Sequence, residues 1–208
     1  MAQIVFAKIL SDAQRAGVMQ KSLASANRWF YGKLQSFRRV IRIPDQGLET
    51  NRDAQAAPKI KMEMVGNLYF FSYDPLNAKT MPYYDRFPLV MPFETTNDGI
   101  IGINFHYLHP IHRAILMDRI LESFENENDK RRVLNRTRFS YEMLEAMGAR
   151  YKYYKPAIKR YKFRQMRSRM LMLDEEEWKT SIFLPVHRFV GAKDAQVWSD
   201  SRKQYNKG

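Results

Sequence analysis

The spacing of apolar residues changes along this chain, and that change restricts the fold more than any other feature. Between residues 3 and 37, apolar side chains recur every three or four residues, as on one face of an α-helix. From residue 59 to residue 108, they alternate with polar residues, as in half-buried strands. Helical spacing returns at residue 111. This order of segments predicts an α+β fold in which helices flank a sheet on both sides in sequence.

The N-terminal part predicts one long helix or two short ones. Phe6 and Leu10 share a face, Ala26 and Phe30 continue a similar stripe, and Gly17 favours a bend between them. A polar stretch without large aromatic residues follows. We predict an N-terminal helical arm at 1–43, a polar linker at 44–58, an α+β core domain at 59–187 and a polar, loosely held C-terminal tail at 188–208.

The middle of the chain predicts a small antiparallel sheet. Residues 60–64, 67–73, 87–93 and 101–107 have strand character, and Asn97-Asp98-Gly99 is a strong turn signal because Asp-Gly tolerates a positive φ. These runs indicate three or four strands, either in an open sheet or closed into a small barrel.

Several helices are predicted after the sheet. Apolar residues between 111 and 126 form a broad face, and Pro110 stands just ahead of it. Ser140 is a suitable cap for a helix ending near Gly148, and Pro156 favours the start of another helix. Asp174 and Glu177 have the spacing of a capping box.

Composition indicates a polyanionic partner. The chain has 35 Lys and Arg against 22 Asp and Glu, a formal net charge of +13, so it attracts phosphate, anionic lipid or acidic proteins. It has no cysteine, which excludes disulfides, thiolate catalysis and cysteine-based zinc sites. It also lacks an apolar run of about 18 residues, so no membrane-spanning helix is predicted.

The most informative segment, residues 150–169, interleaves basic and aromatic residues and contains no acidic one. Cations neutralise phosphates, and aromatic rings stack on exposed bases. Two alternatives are a docking surface for an acidic protein and the solvated face of a core. The predicted polyanion-binding residues are Arg150, Lys152, Lys155, Lys159, Arg160, Lys162, Arg164, Arg167 and Arg169, with Tyr151, Tyr153 and Tyr154 as candidate stacking residues.

A second dense motif runs from Pro82 to Pro88. Tyr83, Tyr84 and Arg86 between these prolines suit a protein–protein contact, where Tyr and Arg are enriched. A capped strand entering the sheet explains the same motif.

Patterns typical of enzymes are weak in this sequence. His106, His109 and His112 are spaced by three, but Pro110 interrupts the series, and local hydrogen bonding explains them. Neither a Gly-x-Ser-x-Gly motif nor a phosphate-binding loop is present. Asp74 and Asp85 are the best candidates for a nuclease site, and turn formation explains Asp74. We therefore predict a protein without catalytic residues, metal or cofactor.

Two runs, residues 68–75 (LYFFSYDP) and 82–89 (PYYDRFPL), resemble virion-associated proteins of large contractile-tailed bacteriophages. Residues 102–108 and 183–185 continue the likeness, which covers roughly residues 65–190. Some members of this set are called DNA end protectors or head-completion proteins, and others are called structural. The resemblance implies a virion component made in the host bacterial cytoplasm and carries no catalytic residues with it.

Two functional hypotheses follow. The first is a structural component of a phage baseplate, tail or neck whose basic surfaces bind other virion proteins in a large hetero-oligomeric assembly. The second is a protein that binds double-stranded DNA and protects or coats the end of the packaged genome. Both use the basic residues of 150–169, and they differ in the polyanion that those residues meet.

Overall fold

The computed structural model describes residues 5–41, 67–125, 154–184 and 189–206. Its strands are β1 (Leu68–Phe70), β2 (Leu89–Thr96), β3 (Gly99–Asn104), β4 (Ile158–Lys162) and β5 (Leu171–Leu173). Its helices are α1 (Phe6–Arg15), α2 (Met19–Ile41), α3 (Pro110–Glu125), α4 (Glu175–Ser181) and α5 (Asp194–Asn206). Short 3-10 turns span Phe105–Tyr107, Lys155–Ala157 and Phe163–Gln165. No helix within these ranges is long and apolar enough to cross a membrane.

The strands form one antiparallel sheet in the order β4-β3-β2-β1-β5. The predicted α+β class is confirmed, and of the two predicted forms of the sheet, the open one is found. The β2–β3 hairpin turns at Asn97 and Asp98, as predicted. Its register shifts between Pro92 and Glu94, and β1 pairs with β2 only as far as Val90. Pro92, which has no N–H, therefore lies beyond the part of β2 that pairs with β1.

The helix predicted to start at Pro156 is wrong. After a single 3-10 turn, the chain forms the strand β4, in which Ile158 pairs with Ile103 and Tyr161 pairs with Ile100. The spacing of apolar residues in this short stretch fits a helix as well as a strand, and pairing with β3 decides between them. The sheet therefore extends beyond residues 59–108 and includes two strands from the C-terminal half of the chain.

The N-terminal stripe forms two helices, separated at Gly17, which has a φ of +66°. Phe6 and Phe30, one from each helix, are buried in the same apolar cluster as the sheet. The helix α1 has no capping side chain of its own. Asp118 of α3 supplies the cap, and its carboxylate accepts hydrogen bonds from the backbone N–H groups of residues 5, 6 and 7 at 2.8, 2.6 and 2.9 Å. This carboxylate joins α1 to α3.

The C-terminal stretch expected to be loosely held instead forms α5. Val197 is fully buried, and the indole of Trp198 donates to the backbone carbonyl of His106 at 2.9 Å. The predicted capping box of Asp174 and Glu177 is confirmed at the start of α4. The predicted linker at 44–58, the strand at 60–64, the helix from Ser140 and the domain boundary at 187 lie outside the described residues.

Alternation along the strands divides the core into two clusters on opposite faces of the sheet. Leu68 and Phe70 of β1 belong to the larger cluster, which the five helices help to form or cover. Tyr69 belongs to the smaller cluster, on the other face, together with Phe71, Tyr73, Val90, Ile100 and Tyr161. The helices therefore cover one face of the sheet and leave the other to a different part of the chain.

A fully buried arginine, Arg113, links α3 to the turn before it and to the segment after α4. Its guanidinium donates to the carbonyl oxygens of Phe105 and Leu108 at 2.9 and 3.1 Å. It also donates to the carbonyls of Ile182, at 3.0 Å, and Leu184, both of which follow α4. Burial lowers its pKa to about 9, so the group stays protonated at neutral pH.

Replacing Arg113 with methionine should strongly destabilise the protein, because buried carbonyl oxygens would lose their donor. Each such group costs about 1–3 kcal/mol when it is left unsatisfied, so we expect a loss of at least about 3 kcal/mol in the free energy of unfolding. Urea denaturation measures this loss. Arg119→Met on the exposed side of the same helix is the matched control and should change stability little. Equal losses for the two variants would contradict this role of Arg113.

Candidate nucleic-acid interface

The described part of the basic segment, from residue 154 onwards, forms a 3-10 turn and then β4, which is one edge of the sheet. The side chain of Tyr161 points into the smaller apolar cluster, and its ring lies 5.3 and 4.9 Å from the ring centroids of Phe71 and Tyr73. The neighbouring side chains of Arg160 and Lys162 are 54% and 51% exposed. The strand thus anchors an aromatic residue in the core and leaves two cations in water.

The chain then crosses the face of the sheet that the helices leave open. Backbone hydrogen bonds hold it there: Asp74 N–H donates to the Gln165 carbonyl at 3.0 Å, and Arg167 N–H donates to the Ser72 carbonyl at 2.8 Å. Phe163, Met166 and Met170 pack on the smaller apolar cluster. The arginines between them, at positions 164, 167 and 169, are exposed.

We call the exposed cations of this region the basic face. Its members are Arg160, Lys162, Arg164, Arg167 and Arg169. Residues 158–170 contain no acidic residue, so the positive charge of the face is uninterrupted along the chain. Phe163, Met166 and Met170 hold the later part of the segment, with Arg164, Arg167 and Arg169, on the smaller apolar cluster. In β4, Arg160 and Lys162 alternate with Tyr161 and therefore point to the other side of this edge strand, beside the β2–β3 turn.

Two carboxylates from other parts of the chain contact this face. Asp98, in the β2–β3 turn, lies 2.7 Å from the guanidinium of Arg160 and 3.5 Å from the ammonium of Lys162. Hydrogen bonds from Arg160 and then Thr96 lower the pKa of Asp98 to about 2, so it is ionised at neutral pH. Asp74 lies 3.1 Å from Arg167. Among the described residues, no ion pair involves Arg164 or Arg169, and the face retains a positive charge.

Two other predicted cations, Lys155 and Lys159, are not members of the basic face. Lys155 is exposed in the 3-10 turn before β4. Lys159 is largely buried, and its ammonium lies 4.4 Å from the centroid of the Tyr107 ring. Burial lowers the pKa of Lys159. Its ammonium group interacts with the Tyr107 ring inside the protein rather than with solvent. Lys159 is therefore a poor candidate for contact with phosphate.

The predicted stacking residues divide into two groups. Arg150, Tyr151, Lys152 and Tyr153 lie outside the described residues. Tyr154 is 2% exposed and belongs to the larger apolar cluster, so its ring is covered by protein. For Tyr154, as for Tyr161, burial in the core explains the residue type.

The motif between Pro82 and Pro88 packs against residues 107 and 189–190. Tyr83 packs against Tyr107 and Phe189 at centroid distances of 6.4 and 6.2 Å. Burial and the nearby Asp200 raise the pKa of Tyr83. Tyr84 pairs through its backbone with residue 190. Of the three predicted contact residues in this motif, Arg86 is exposed, and Tyr83 and Tyr84 are partly buried.

A buried polar network ties this motif to the sheet. Asp85 accepts hydrogen bonds from the side chains of Asn104 and His106 at 2.9 and 2.8 Å. Asn104 also donates to the Tyr161 hydroxyl at 2.8 Å. An Asp–His pair is found in many hydrolases, but here the two side chains are 9% and 1% exposed. A substrate in solution therefore has no direct access to this pair.

The three histidines do not converge on one point. His106 pairs with Asp85, whereas the rings of His109 and His112 lie 6.3 Å apart beside α5. Asp74 and Asp85, the candidate nuclease pair, bind different partners, Arg167 and His106. Within the described ranges, no group of three or more His, Cys, Asp or Glu residues is placed to hold a metal ion.

The sequence interpretation missed the carboxylates of the basic face. It treats Asp98 only as a turn residue, and Asp74 as a turn residue or a candidate nuclease ligand. Their partners are 62 and 93 residues away, so only the pairing of β3 with β4 and of residues 72–74 with 165–168 brings them together. The lack of acidic residues in 150–169 is a signal that any neutralising group has to come from elsewhere.

Replacing Asp98 with asparagine should strengthen binding to polyanions, because Arg160 and Lys162 would no longer have a competing carboxylate beside them. Elution from a heparin column at pH 7 should require more salt. Asp12→Asn, at an exposed position on α1, changes the net charge by the same amount. An equal shift for both variants would mean that heparin responds to net charge and not to the basic face.

Comparison with known proteins identifies one family. The family described as phage T4 terminal DNA protecting protein matches residues 47–204, well over half of the chain and all five strands. No curated protein and no solved structure matches the sequence.

Proposed function

This chain belongs to the family of phage T4 terminal DNA protecting proteins, and on that premise we propose that it binds the end of double-stranded DNA through the basic face. The observation that supports this most directly is the position of the face. Its cations follow one another along the edge strand β4 and the segment after it, within the matched residues, with no acidic residue between them.

Phosphate binding explains the composition of the face. Arg and Lys side chains that contact phosphates release condensed counterions, which favours binding at low salt without a preference for sequence. Arginine suits this role because its planar guanidinium binds phosphate oxygens in pairs. Arg164 and Arg169, which form no ion pair among the described residues, can bind phosphate directly. Arg160 and Arg167 would first have to release Asp98 and Asp74.

The ion pairs with Asp98 and Asp74 have a second consequence. They hold exposed side chains that would otherwise sample many rotamers, which reduces the entropy lost on binding. Exposed pairs of this kind contribute little to stability, and phosphate can displace the carboxylate at low cost. We infer that the two carboxylates orient the cations and weaken their binding to phosphate without preventing it.

Protection of an end requires no chemical step in this proposal. A bound protein blocks the approach of other proteins to the terminal base pairs. The buried position of the Asp85–His106 pair agrees with a binding role. The family match also favours the DNA-end hypothesis over the structural one, and neither the described residues nor the match supports a place in the baseplate or tail.

Binding of a labelled linear duplex as a function of salt tests the role of the face. The variant Arg160→Gln/Arg164→Gln/Arg169→Gln should bind more weakly. The slope of log affinity against log salt should fall by roughly 0.9 for each phosphate that the variant no longer neutralises. A closed circular duplex of the same sequence, added as competitor, should displace the wild-type protein less well than the linear form does.

The matched control is Lys8→Gln/Lys21→Gln/Lys193→Gln, which removes three exposed cations outside the basic face. This variant should keep most of the affinity and the salt slope. If both triple variants weaken binding equally, net charge rather than the face drives the interaction. If the circle competes as well as the linear form, the protein coats DNA and does not recognise ends.

A further inference from the structure

The loop of residues 75–81, which we call the Leu76 loop, presents apolar side chains to water. Leu76 is 78% exposed, and Met81 is 42% exposed. No other large apolar residue in the described ranges is as exposed as Leu76. Pro75 and Ala78 lie beside it in sequence, and Lys79 is the only charged residue of the loop. An isolated exposed leucine is common, but an exposed apolar loop beside several cations is typical of a binding site.

Internal hydrogen bonds make the Leu76 loop rigid. Ala78 N–H donates to the Pro75 carbonyl at 3.1 Å, and Thr80 and Met81 N–H groups donate to the Asn77 carbonyl at 3.0 and 3.1 Å. The Thr80 hydroxyl donates to the same carbonyl at 3.1 Å. The loop therefore holds Leu76 away from the core in a fixed place, and a binding partner would not have to order it.

The Leu76 loop starts at the edge of the basic face. Asp74 bonds to the Gln165 carbonyl through its N–H and to Arg167 through its carboxylate, at 3.0 and 3.1 Å. Two residues span at most about 7 Å, so the Cα of Leu76 lies within that distance of the Cα of Asp74. The backbone of Leu76 therefore lies close to the Asp74–Arg167 ion pair.

The end of a duplex is the part of DNA that matches both Leu76 and Arg167. Every internal base pair is stacked on both sides, whereas the terminal pair exposes one flat, apolar surface next to charged phosphates. Leucine and methionine are side chains that proteins place against base-pair surfaces. Covering that surface removes apolar area from water on both partners. Internal duplex offers phosphates to the same cations but no uncovered base pair to the leucine.

We propose that Leu76, supported by Met81, covers the terminal base pair while Arg167 contacts a phosphate near the end. This inference rests on the proposed function and adds to it the group that distinguishes an end from the interior of a duplex. The cations supply affinity for any duplex. The Leu76 loop supplies the preference for the end.

The test compares Leu76→Asn with the wild-type protein on two DNAs, a blunt linear duplex and a closed circle of the same sequence. Covering the leucine side chain removes its apolar area from water, and its loss should lower the affinity for the linear duplex at least about fivefold. Affinity for the circle should stay unchanged. Ile111→Asn is the control and should leave both affinities unchanged, because Ile111 is 49% exposed on α3 in the helical layer.

A second readout follows the terminal base pair directly. A fluorescent base analogue at the end of the linear duplex should change its emission when the wild-type protein binds. At saturating concentration, Leu76→Asn should change it much less. The same analogue placed at the centre of the duplex should respond to neither protein.

The outcomes separate the two proposals. If the wild-type protein prefers the linear duplex and Leu76→Asn keeps both that preference and the fluorescence change, the inference is wrong and the proposed function stands. If the wild-type protein binds the linear duplex and the circle equally, both are wrong. Loss of end preference in Leu76→Asn with an unchanged affinity for the circle supports both.

Discussion

The buried guanidinium of Arg113 is the interaction on which the arrangement of this protein depends. A charge without solvent is costly, and it is tolerated here because carbonyl oxygens surround it. Those carbonyls come from the turn after β3 and from the end of α4, while the arginine itself belongs to α3. One side chain therefore joins α3 and the turn just before it to the segment that follows α4, which is 69 residues away at Ile182.

The described helices pack on one face of the sheet, and among the described residues the segment 163–170 packs on the other. That segment meets two requirements at once. Phe163, Met166 and Met170 exclude water from the sheet, and the arginines between them stay in solvent. The exposed positions of Arg164, Arg167 and Arg169 are thus a consequence of how this segment covers the sheet. Its carboxylate partners come from the β2–β3 turn and from the strand-like stretch before the Leu76 loop.

Much of the fold could be predicted from the sequence because it depends on local signals. The Asp98-Gly99 turn, the capping box at Asp174 and the apolar face of α3 are all readable within a few residues. The strand β4 is not, since Ile158 and Tyr161 have helical spacing and in the strand lie on opposite faces of the sheet, and its partner β3 is about 60 residues away. The tail was misjudged because α5 is polar overall and packs mainly through Val197 and Trp198.

The sequence predicts which cations the candidate site contains, but not which of them are buried or paired with carboxylates. Lys159 and Arg160 look equivalent in the sequence, but one lies against the Tyr107 ring and the other is exposed beside Asp98. Arg113 gave a signal that the sequence interpretation overlooked. It lies four residues before Met117 and seven before Ile120, so it shares the buried face of α3. A lone arginine on such a face predicts either an unusual buried partner or a break in the helix.

Protection of DNA ends is the central claim, and digestion by an exonuclease tests it most directly. A linear duplex is incubated with an enzyme that degrades double-stranded DNA from its ends, with and without saturating protein. We expect the wild-type protein to slow digestion strongly and the variant with Arg160, Arg164 and Arg169 replaced by glutamine to slow it little at the same concentration. Digestion at the same rate with and without the wild-type protein would contradict the claim.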